Sequence, residues 1–320
     1  MFTVGIDLGG TNIAVGLLDG DYKIVDRMKK KTEASRTPDE IVSDMASITR
    51  DLLKRNGLSP SELDNIGIAT PGLVDAKRGI LEKCCNLPFR SYPLAERMSS
   101  LLDGARVHIA NDANAAALAE AMIGAAKGTR NSVMLTLGTG VGSGIIIDGR
   151  IFSGGLNCSG AEIGHMVIKA NGRQCACGRR GCVECYCSAV GLANMTREKM
   201  HELEMKDIPS KLFDVAREDG KIGARTPFKA KKLGDEHARA IVDKYVKYLG
   251  LAVANIINIF QPEVISIGGG VSNEGDNLII PLREVADSEQ YTRDNEIRTK
   301  ICVAELGTDA GIIGAAGLCG

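Results

Sequence analysis

Short apolar runs alternate with glycine turns at the start of this chain. TVGIDL, GGTN and IAVGLL, within residues 3–18, predict two strands joined by a glycine turn. The Asp19-Gly20 pair predicts a tight hairpin leading into a strand at YKIV. Over residues 38–56 the spacing changes: Ile41, Met45, Ile48 and Leu52 recur three or four apart, which predicts an amphipathic helix. NIGIAT and RVHIA (106–110) return to strand-like runs, and ANAAALAEAMIGAA predicts an alanine-rich helix. Residues 236–260 predict a long, mostly apolar helix. PEVISIGGGVS (262–272) predicts a strand running into a glycine turn and then a helix. The closing GTDAGIIGAAGLCG is rich in small residues that allow close helix packing. Residues 201–235, charged and irregular in spacing, are expected to form a surface insertion.

One part of this pattern occurs twice. MLTLGTGVGSGIIIDG lies on GIDLGGTNIAVGLLDG at a constant offset of 129, so that Leu137-Gly138 matches Leu8-Gly9 and Asp148-Gly149 matches Asp19-Gly20. Two copies of a strand–glycine turn–strand unit imply two related β-rich lobes, each offering one phosphate-sized loop.

Composition narrows the classes. The 320 residues suffice for two domains with real cores. A net charge of -1 gives no field favouring nucleic acid or an anionic membrane as partner. Thirty-eight glycines and 4% aromatics suit tight turns over small ligands better than stacked bases. MFTVGIDLGG has no basic stretch followed by a long apolar run, and no run nears the roughly 18–20 residues of a membrane helix. A cytoplasmic location follows as the expectation. There, ten cysteines point to reduced thiols or a metal rather than disulfides.

The candidate chemistry sits on the turns. In DLGGT (Asp7–Thr11), backbone N–H groups unobstructed by side chains suit phosphate oxygens, and Asp7 could orient a magnesium-bound water; a plain hairpin turn is the other reading. LGTG (Leu137–Gly140) as a second copy favours phosphate. No GxxxxGK[ST] and no HRD or DFG motif occurs. In NDAN, Asp112 stands where a strand gives way to a helix. It is either the helix N-cap or a catalytic carboxylate that the helix dipole would keep ionised. His165, Cys175, Cys177 and Cys182 form H-x9-C-x-C-x4-C, four N/S ligands for tetrahedral zinc. Four protein ligands would close the site, making the metal structural. Surplus reduced thiols are the alternative, and Cys185 and Cys187 lie close enough to compete as ligands.

IDLGGTNIAVG, ATPGLVD, NLPF, NDANAAALAE, LGTGVGSGI, GAEIGH, CACGRRGCVE and IGGGVS, in this order across the whole chain, resemble the ROK family (repressors, open reading frames and sugar kinases). Within it the similarity is greatest to the bacterial glucokinases. The resemblance implies an α/β, actin-like ATPase (ribonuclease-H-like) fold of two lobes around a central ligand cleft. The expected lobes are residues 1–110 with 302–320, and residues 111–301. It implies phosphoryl transfer from ATP, with Mg²⁺, to O6 of an aldohexose, glucose first, in a homodimer braced by structural Zn²⁺. Asp112 then becomes the general base, outweighing the cap. Asn111, Asp112, Glu162, His165 and Glu184 match sugar-binding positions. Gly9, Gly10, Thr11 and Asn12 match the first phosphate loop, Gly138 and Thr139 the second, and Gly268, Gly269 and Gly270 the adenosine-side turn. NLPF replaces the usual Asn-Leu-x-Trp behind Cys84-Cys85, and Cys185 and Cys187 replace Thr and Ala. N-acetylmannosamine, N-acetylglucosamine, fructose and allose are the rival sugars. A sugar-sensing repressor is the rival class, for which a hairpin beginning at Thr3 leaves no helix-turn-helix.

Overall fold

A computed structural model describes residues 2–84, 86–155 and 160–318; Cys85 and the last two residues of the closing small-residue segment lie outside the described residues. In chain order the elements are β1 (Phe2–Leu8), β2 (Asn12–Leu18), β3 (Ile24–Lys31), α1 (Pro38–Arg55), β4 (Leu63–Thr70), β5 (Leu73–Asp75), β6 (Ile80–Lys83), β7 (Arg90–Tyr92), α2 (Leu94–Leu101), β8 (Val107–Asn111) and α3 (Asp112–Met122). There follow β9 (Ser132–Leu137), β10 (Val141–Ile147), β11 (Arg150–Ile151), α4 (Glu184–Cys187), α5 (Ala189–Met205), α6 (Lys211–Glu218), α7 (Arg225–Lys232) and α8 (Glu236–Phe260). The chain ends with β12 (Val264–Gly268), α9 (Asp276–Glu289), β13 (Lys300–Val303) and α10 (Ala310–Ala316).

The internal repeat is a repeat of sheet topology. One five-stranded sheet runs β3-β2-β1-β4-β8 and the other β11-β10-β9-β12-β13. Adding 129 to the ends of β2 gives those of β10, and adding it to the last residue of β1 gives the last of β9. The hairpins differ. Asp148 and Gly149, both at positive φ, close the tight two-residue turn the sequence predicts. Asp19 instead accepts the N–H groups of Asp21 and Lys23, and Tyr22 takes the left-handed conformation. That widens the first turn to five residues, so β3 starts at Ile24 rather than within YK.

The chain divides into two compact units, residues 1–134, 144–161 and 305–320 in one, and 135–143 and 162–304 in the other. These boundaries differ from the expected 110/111 and 301/302. Residues 111–134 join the first unit because α3 packs on α10, where a Cβ at Gly314 would stand 1.7 Å from the Ala115 carbonyl oxygen. Residues 302–304 join the second because β13 pairs in parallel with β12.

In the first unit, α1 buries Ile41, Met45, Ile48 and Leu52 on the sheet face carrying Val4, Ile6, Ile66 and Ile68. Thr37 and Glu40 cap it reciprocally. The opposite face is built from small residues. A Cβ at Gly5 would meet the Ile312 carbonyl oxygen at 1.9 Å and one at Gly67 the Ala315 oxygen at 1.7 Å, so α10 lies directly on the strands. α3 stops four residues short of the alanine-rich run because the buried Glu120 carboxylate takes the Ala125 N–H at 2.7 Å. In the second unit, α8 buries Tyr245, Leu249, Val253 and Ile257 among α5, α7 and α9. Residues 201–235 are not a surface insertion: α6 and α7 fold there and bury Leu212, Val215, Phe228 and Ala230. Among the described residues, no helix is long and apolar enough to cross a membrane.

Candidate active site

In the first unit, Asp7 is the last but one residue of β1, and its strand neighbours are Ala14 and Ala69. Their small side chains, with Gly311 on α10, leave the carboxyl half-buried and close to protein on every side; a Cβ at Gly311 would lie 2.9 Å from it. Its pKa is pushed up to about 6, chiefly by burial and next by the negative charge of Asp112, while Lys29 opposes both. The turn that follows has its carbonyl groups drawn inward. Asn12 O accepts the Gly9 N–H at 2.9 Å, and the buried Thr32 donates its hydroxyl to Gly9 O at 2.6 Å and its N–H to Thr11 O at 3.0 Å. Thr32 was absent from the sequence-predicted site. Its position just after a strand of basic residues gave no local signal.

Asp112 opens α3, but the N-cap is Asn111: its Oδ1 accepts the N–H groups of Ala113 and Asn114, and its amide donates to Gly72 O at 3.1 Å. The alternative role considered for Asp112 is therefore filled by its neighbour. Asp112 reaches solvent while protein crowds its carboxyl, and this burial raises its pKa against the N–H of Ala113 and the Asn111 side chain, which lower it. Desolvation thus works against the helix-end N–H groups that favour the ionised carboxylate. Beside the first turn, the Asn86 amide stands 2.9 Å from where a Cβ on Gly10 would be. NLPF thus contributes Asn86, a residue the motif flagged without a role.

In the second unit, Gly138 N–H bonds Gly140 O at 3.1 Å, and Glu184 Oε2 accepts the Val141 N–H at 3.1 Å. The turn after β12 packs against this loop. Gly269 has φ +81° and Leu137 backbone atoms 2.6–2.7 Å from any Cβ, so both conformation and space demand glycine. Gly268 is buried and Gly270 exposed beside it. A cavity of about 390 Å³ is lined by Thr139, Gly140, Arg173, Glu184, Val190 and Asn194.

The ligand atoms of His165, Cys175, Cys177 and Cys182 all lie within 4.8 Å of one another. Cys177 and Cys182 sulfurs are 3.7 Å apart, as are Cys175 Sγ and His165 Nδ1. Such separations would suit the edges of a tetrahedron with Zn–S of ~2.3 Å and Zn–N of ~2.0 Å, and the sulfur pair is too far apart for a disulfide. One imidazole nitrogen and three thiols fit zinc. The competing sulfurs stand outside the set: Cys187 is fully buried and Cys185 donates to Gln174 O at 3.5 Å. His165 begins the segment at the end of a one-turn 3-10 helix that Glu162, exposed, precedes.

Residues 3–320 match the ROK family. The chain belongs to it. Glucokinase of Thermotoga maritima is 35% identical to this ROK chain over 318 residues, covering 98% of it and 96% of the relative. Glucokinase of Halalkalibacterium halodurans is 36% identical, with 97% and 92% covered. The solved ROK family glucokinase of Streptomyces griseus in complex with glucose and AMPPNP superposes with a TM-score of 0.79 at 30% identity, covering 99% of both chains. The α/β, two-lobe actin-like ATPase architecture of the ROK kinases is therefore the fold of this chain.

Within that family frame, the first unit of the ROK chain brings Asp7, Asp112, Asn111 and the Gly9–Asn12 turn into one polar cluster around α10 and α3. The second unit gathers Gly138, Thr139, Glu184, the metal cluster and Gly268–Gly270. Glu120 is a further residue the sequence hid. It looked like one polar member of an alanine helix, yet its carboxylate also binds the N–H groups of Glu305 and Leu306 at 3.1 and 2.8 Å.

Proposed function

We propose that this ROK chain transfers the γ-phosphoryl group of ATP to O6 of glucose. The observation that carries the reading is Asp112: a recessed carboxyl with a raised pKa, relieved of helix capping by Asn111, at the head of a helix. An ionised carboxylate there can accept a hydroxyl proton as a general base. The attacking oxygen loses its proton to Asp112 Oδ as it closes on the γ-phosphorus, and ADP leaves in line. Backbone N–H groups of Gly10, Thr11 and Asn12, and of Thr139, hold the phosphates, the Gly9 and Gly138 N–H groups closing the two turns themselves, with Gly268–Gly270 on the adenosine side. Mg²⁺ bound with ATP supplies positive charge to the phosphate oxygens, and Asp7 orients its water shell. Asn111, Glu162, His165 and Glu184 take sugar hydroxyls. His165 has a ring nitrogen for each task, Nδ1 toward the thiols and Nε2 for a hydroxyl. Zn²⁺ held by His165, Cys175, Cys177 and Cys182 supplies rigidity, since four protein ligands leave it no open position.

Glucose is chosen because relatives at 35% and 36% identity are glucokinases and a similar solved structure holds glucose with AMPPNP. A cytoplasmic homodimer feeding glucose 6-phosphate to glycolysis completes the proposal. A coupled ADP-release assay over glucose, N-acetylglucosamine, N-acetylmannosamine, fructose and allose tests it. Glucose should give the highest kcat/KM; a higher value for another sugar reassigns the substrate, and no sugar-dependent ADP release removes the kinase reading.

A further inference from the structure

The second glycine loop is fastened by the segment carrying the His165–Cys182 cluster, by the start of α5 and by the turn after β12. The Ala189 N–H donates to Gly138 O at 2.8 Å. Glu184 Oε2 accepts the Val141 N–H at 3.1 Å, and the same oxygen lies 2.3 Å from the Cβ position of Gly140, so the carboxylate presses on the loop itself. Gly164 backs onto Val141 O so closely that a Cβ there would sit 2.1 Å away. Gly164 immediately precedes the ligand His165, and Glu184 follows Cys182 by two residues. The other Glu184 oxygen, Oε1, faces Cys175 Sγ at 3.8 Å.

Backbone bonds close the segment's base. Val183 N–H meets Met166 O at 2.8 Å, Ile168 N–H meets Gly181 O at 2.9 Å, and Val167 bridges Cys182. Cys175 and Cys177 stand on a separate finger closed by the Gln174–Arg180 bridge. Arg179 Nη1 reaches His165 O at 3.3 Å and Cys185 Sγ reaches Gln174 O at 3.5 Å; an ion joining all four ligands would add a stiffer tie between finger and base, and the base is what touches the loop. A supporting shell sets the precision of the groups it carries.

We infer that the metal cluster braces the nucleotide side of the reaction: through Glu184 and Gly164 it fixes the Gly138–Val141 loop, and Glu184 is a positioning residue for that loop besides any contact with sugar. This rests on the reading of Gly138–Val141 as a phosphate loop. It goes beyond that reading in predicting that metal loss weakens nucleotide binding when no sugar is present.

The test uses the full chain, zinc-loaded and zinc-stripped, with two variants, Glu184→Ala and Glu184→Gln. Amide hydrogen exchange is followed in the peptide covering 135–143, with α8 as the control for global opening, and AMPPNP affinity is measured by calorimetry without sugar. Stripping zinc should speed exchange in the loop but not in α8, and weaken AMPPNP by about tenfold or more, the worth of one bond to a charged acceptor. Glu184→Ala should reproduce both effects with zinc content unchanged. Glu184→Gln, which keeps an oxygen for the Val141 N–H, should hold AMPPNP within about threefold of the parent. Unchanged loop exchange on stripping, or a Glu184→Ala variant that weakens glucose but not AMPPNP, overturns the inference. If stripping opens α8 as well, the two variants decide alone; if the alanine variant does not fold, the stripped protein and the glutamine variant decide. Should AMPPNP fail to protect the loop in the zinc-loaded parent, the phosphate-loop reading falls, while the exchange response to zinc still judges the brace.

Discussion

The two glycine turns share a backbone plan at an offset of 129 and differ in what surrounds them. Before the first turn stands Asp7; the corresponding position before the second is Thr136. The first turn is held from behind by one buried hydroxyl, that of Thr32, and looks onto two carboxyls whose pKa values are raised. The second has no such pair in its own unit's hairpin. A carboxylate, a bare Gly164 backbone and the start of α5 fasten it next to the cluster of His165, Cys175, Cys177 and Cys182. One copy has kept ionisable groups at a cost in desolvation, and the other has taken on fixed geometry. The two copies share a frame and divide charge from shape between them. Strained or desolvated groups retained in a fold are the ones chemistry uses.

If that division holds, the largest loss comes from the charged copy. Asp112→Asn, nearly isosteric, should lower kcat by about 10²–10⁴-fold and leave the KM for ATP close to the parent's. Steady-state kinetics with glucose measures this. A kcat within threefold of the parent would falsify the general-base role. The pH profile of kcat/KM should also fall on acidification through the raised pKa of Asp112, because the protonated carboxyl accepts nothing.

Next in size is a change that touches the frame of the first unit but none of its chemistry. Glu120 is 1% exposed and its carboxylate serves the N–H groups of Ala125, Glu305 and Leu306. Glu120→Ala strands three donors, and bonds to a charged acceptor are worth about 1.5–3 kcal/mol each before relaxation. Urea denaturation should show a loss of at least ~2 kcal/mol, while zinc content stays that of the parent.

Much of this arrangement was legible in the sequence. α1 and α8 match their predicted spans almost to the residue because their periodicity and caps agree: Thr37-Pro38 with Glu40 for α1, and Asp235, whose carboxylate takes the Ala238 N–H, for α8. The repeat revealed two related β-rich units, and the His/Cys spacing picked out four side chains whose ligand atoms the fold gathers within 4.8 Å of one another. What escaped notice was tertiary. Asp19 widens its turn through two side-chain bonds that an Asp-Gly pair does not announce. Residues 201–235 carry enough charge to resemble a solvated insertion, yet four apolar or small positions on α6 and α7 suffice to bury one face. Thr32 and Glu120 act on segments far away in sequence, so no local pattern marks them. The lobe boundary at 110 followed from where motifs change, whereas the contacts follow α3 onto α10.

The support of the first turn gives a smaller effect. Thr32→Val preserves shape but removes the hydroxyl that holds Gly9 O, leaving the N–H bond to Thr11 O in place. One neutral hydrogen bond is worth about 0.5–1.5 kcal/mol, so the KM for ATP should rise about 2–12-fold with little change for glucose. Thr32→Ser should restore the parent value. A valine variant with unaltered KM for ATP would show that the first turn, unlike the second, needs no outside support.

The smallest expected effect is thermodynamic and separates the copies at the position where they differ. Asp7 has a folded-state pKa of about 6 against an ordinary 3.8, so between those values the folded chain binds more protons than the unfolded one. Stability contributed by this group therefore falls as pH rises through that window and is at its lowest above pH 6. In the ligand-free protein, Asp7→Asn removes a desolvated charge that also repels Asp112. Its Tm at pH 7.5 should exceed the parent's by about 2–4 °C, and the gap should shrink toward pH 5 as the parent's carboxyl protonates. Thr136→Asn, the same change made in the uncharged copy, should show no gap that varies with pH. Scanning both variants across that pH range measures what the first copy gives up in stability to keep its carboxylate.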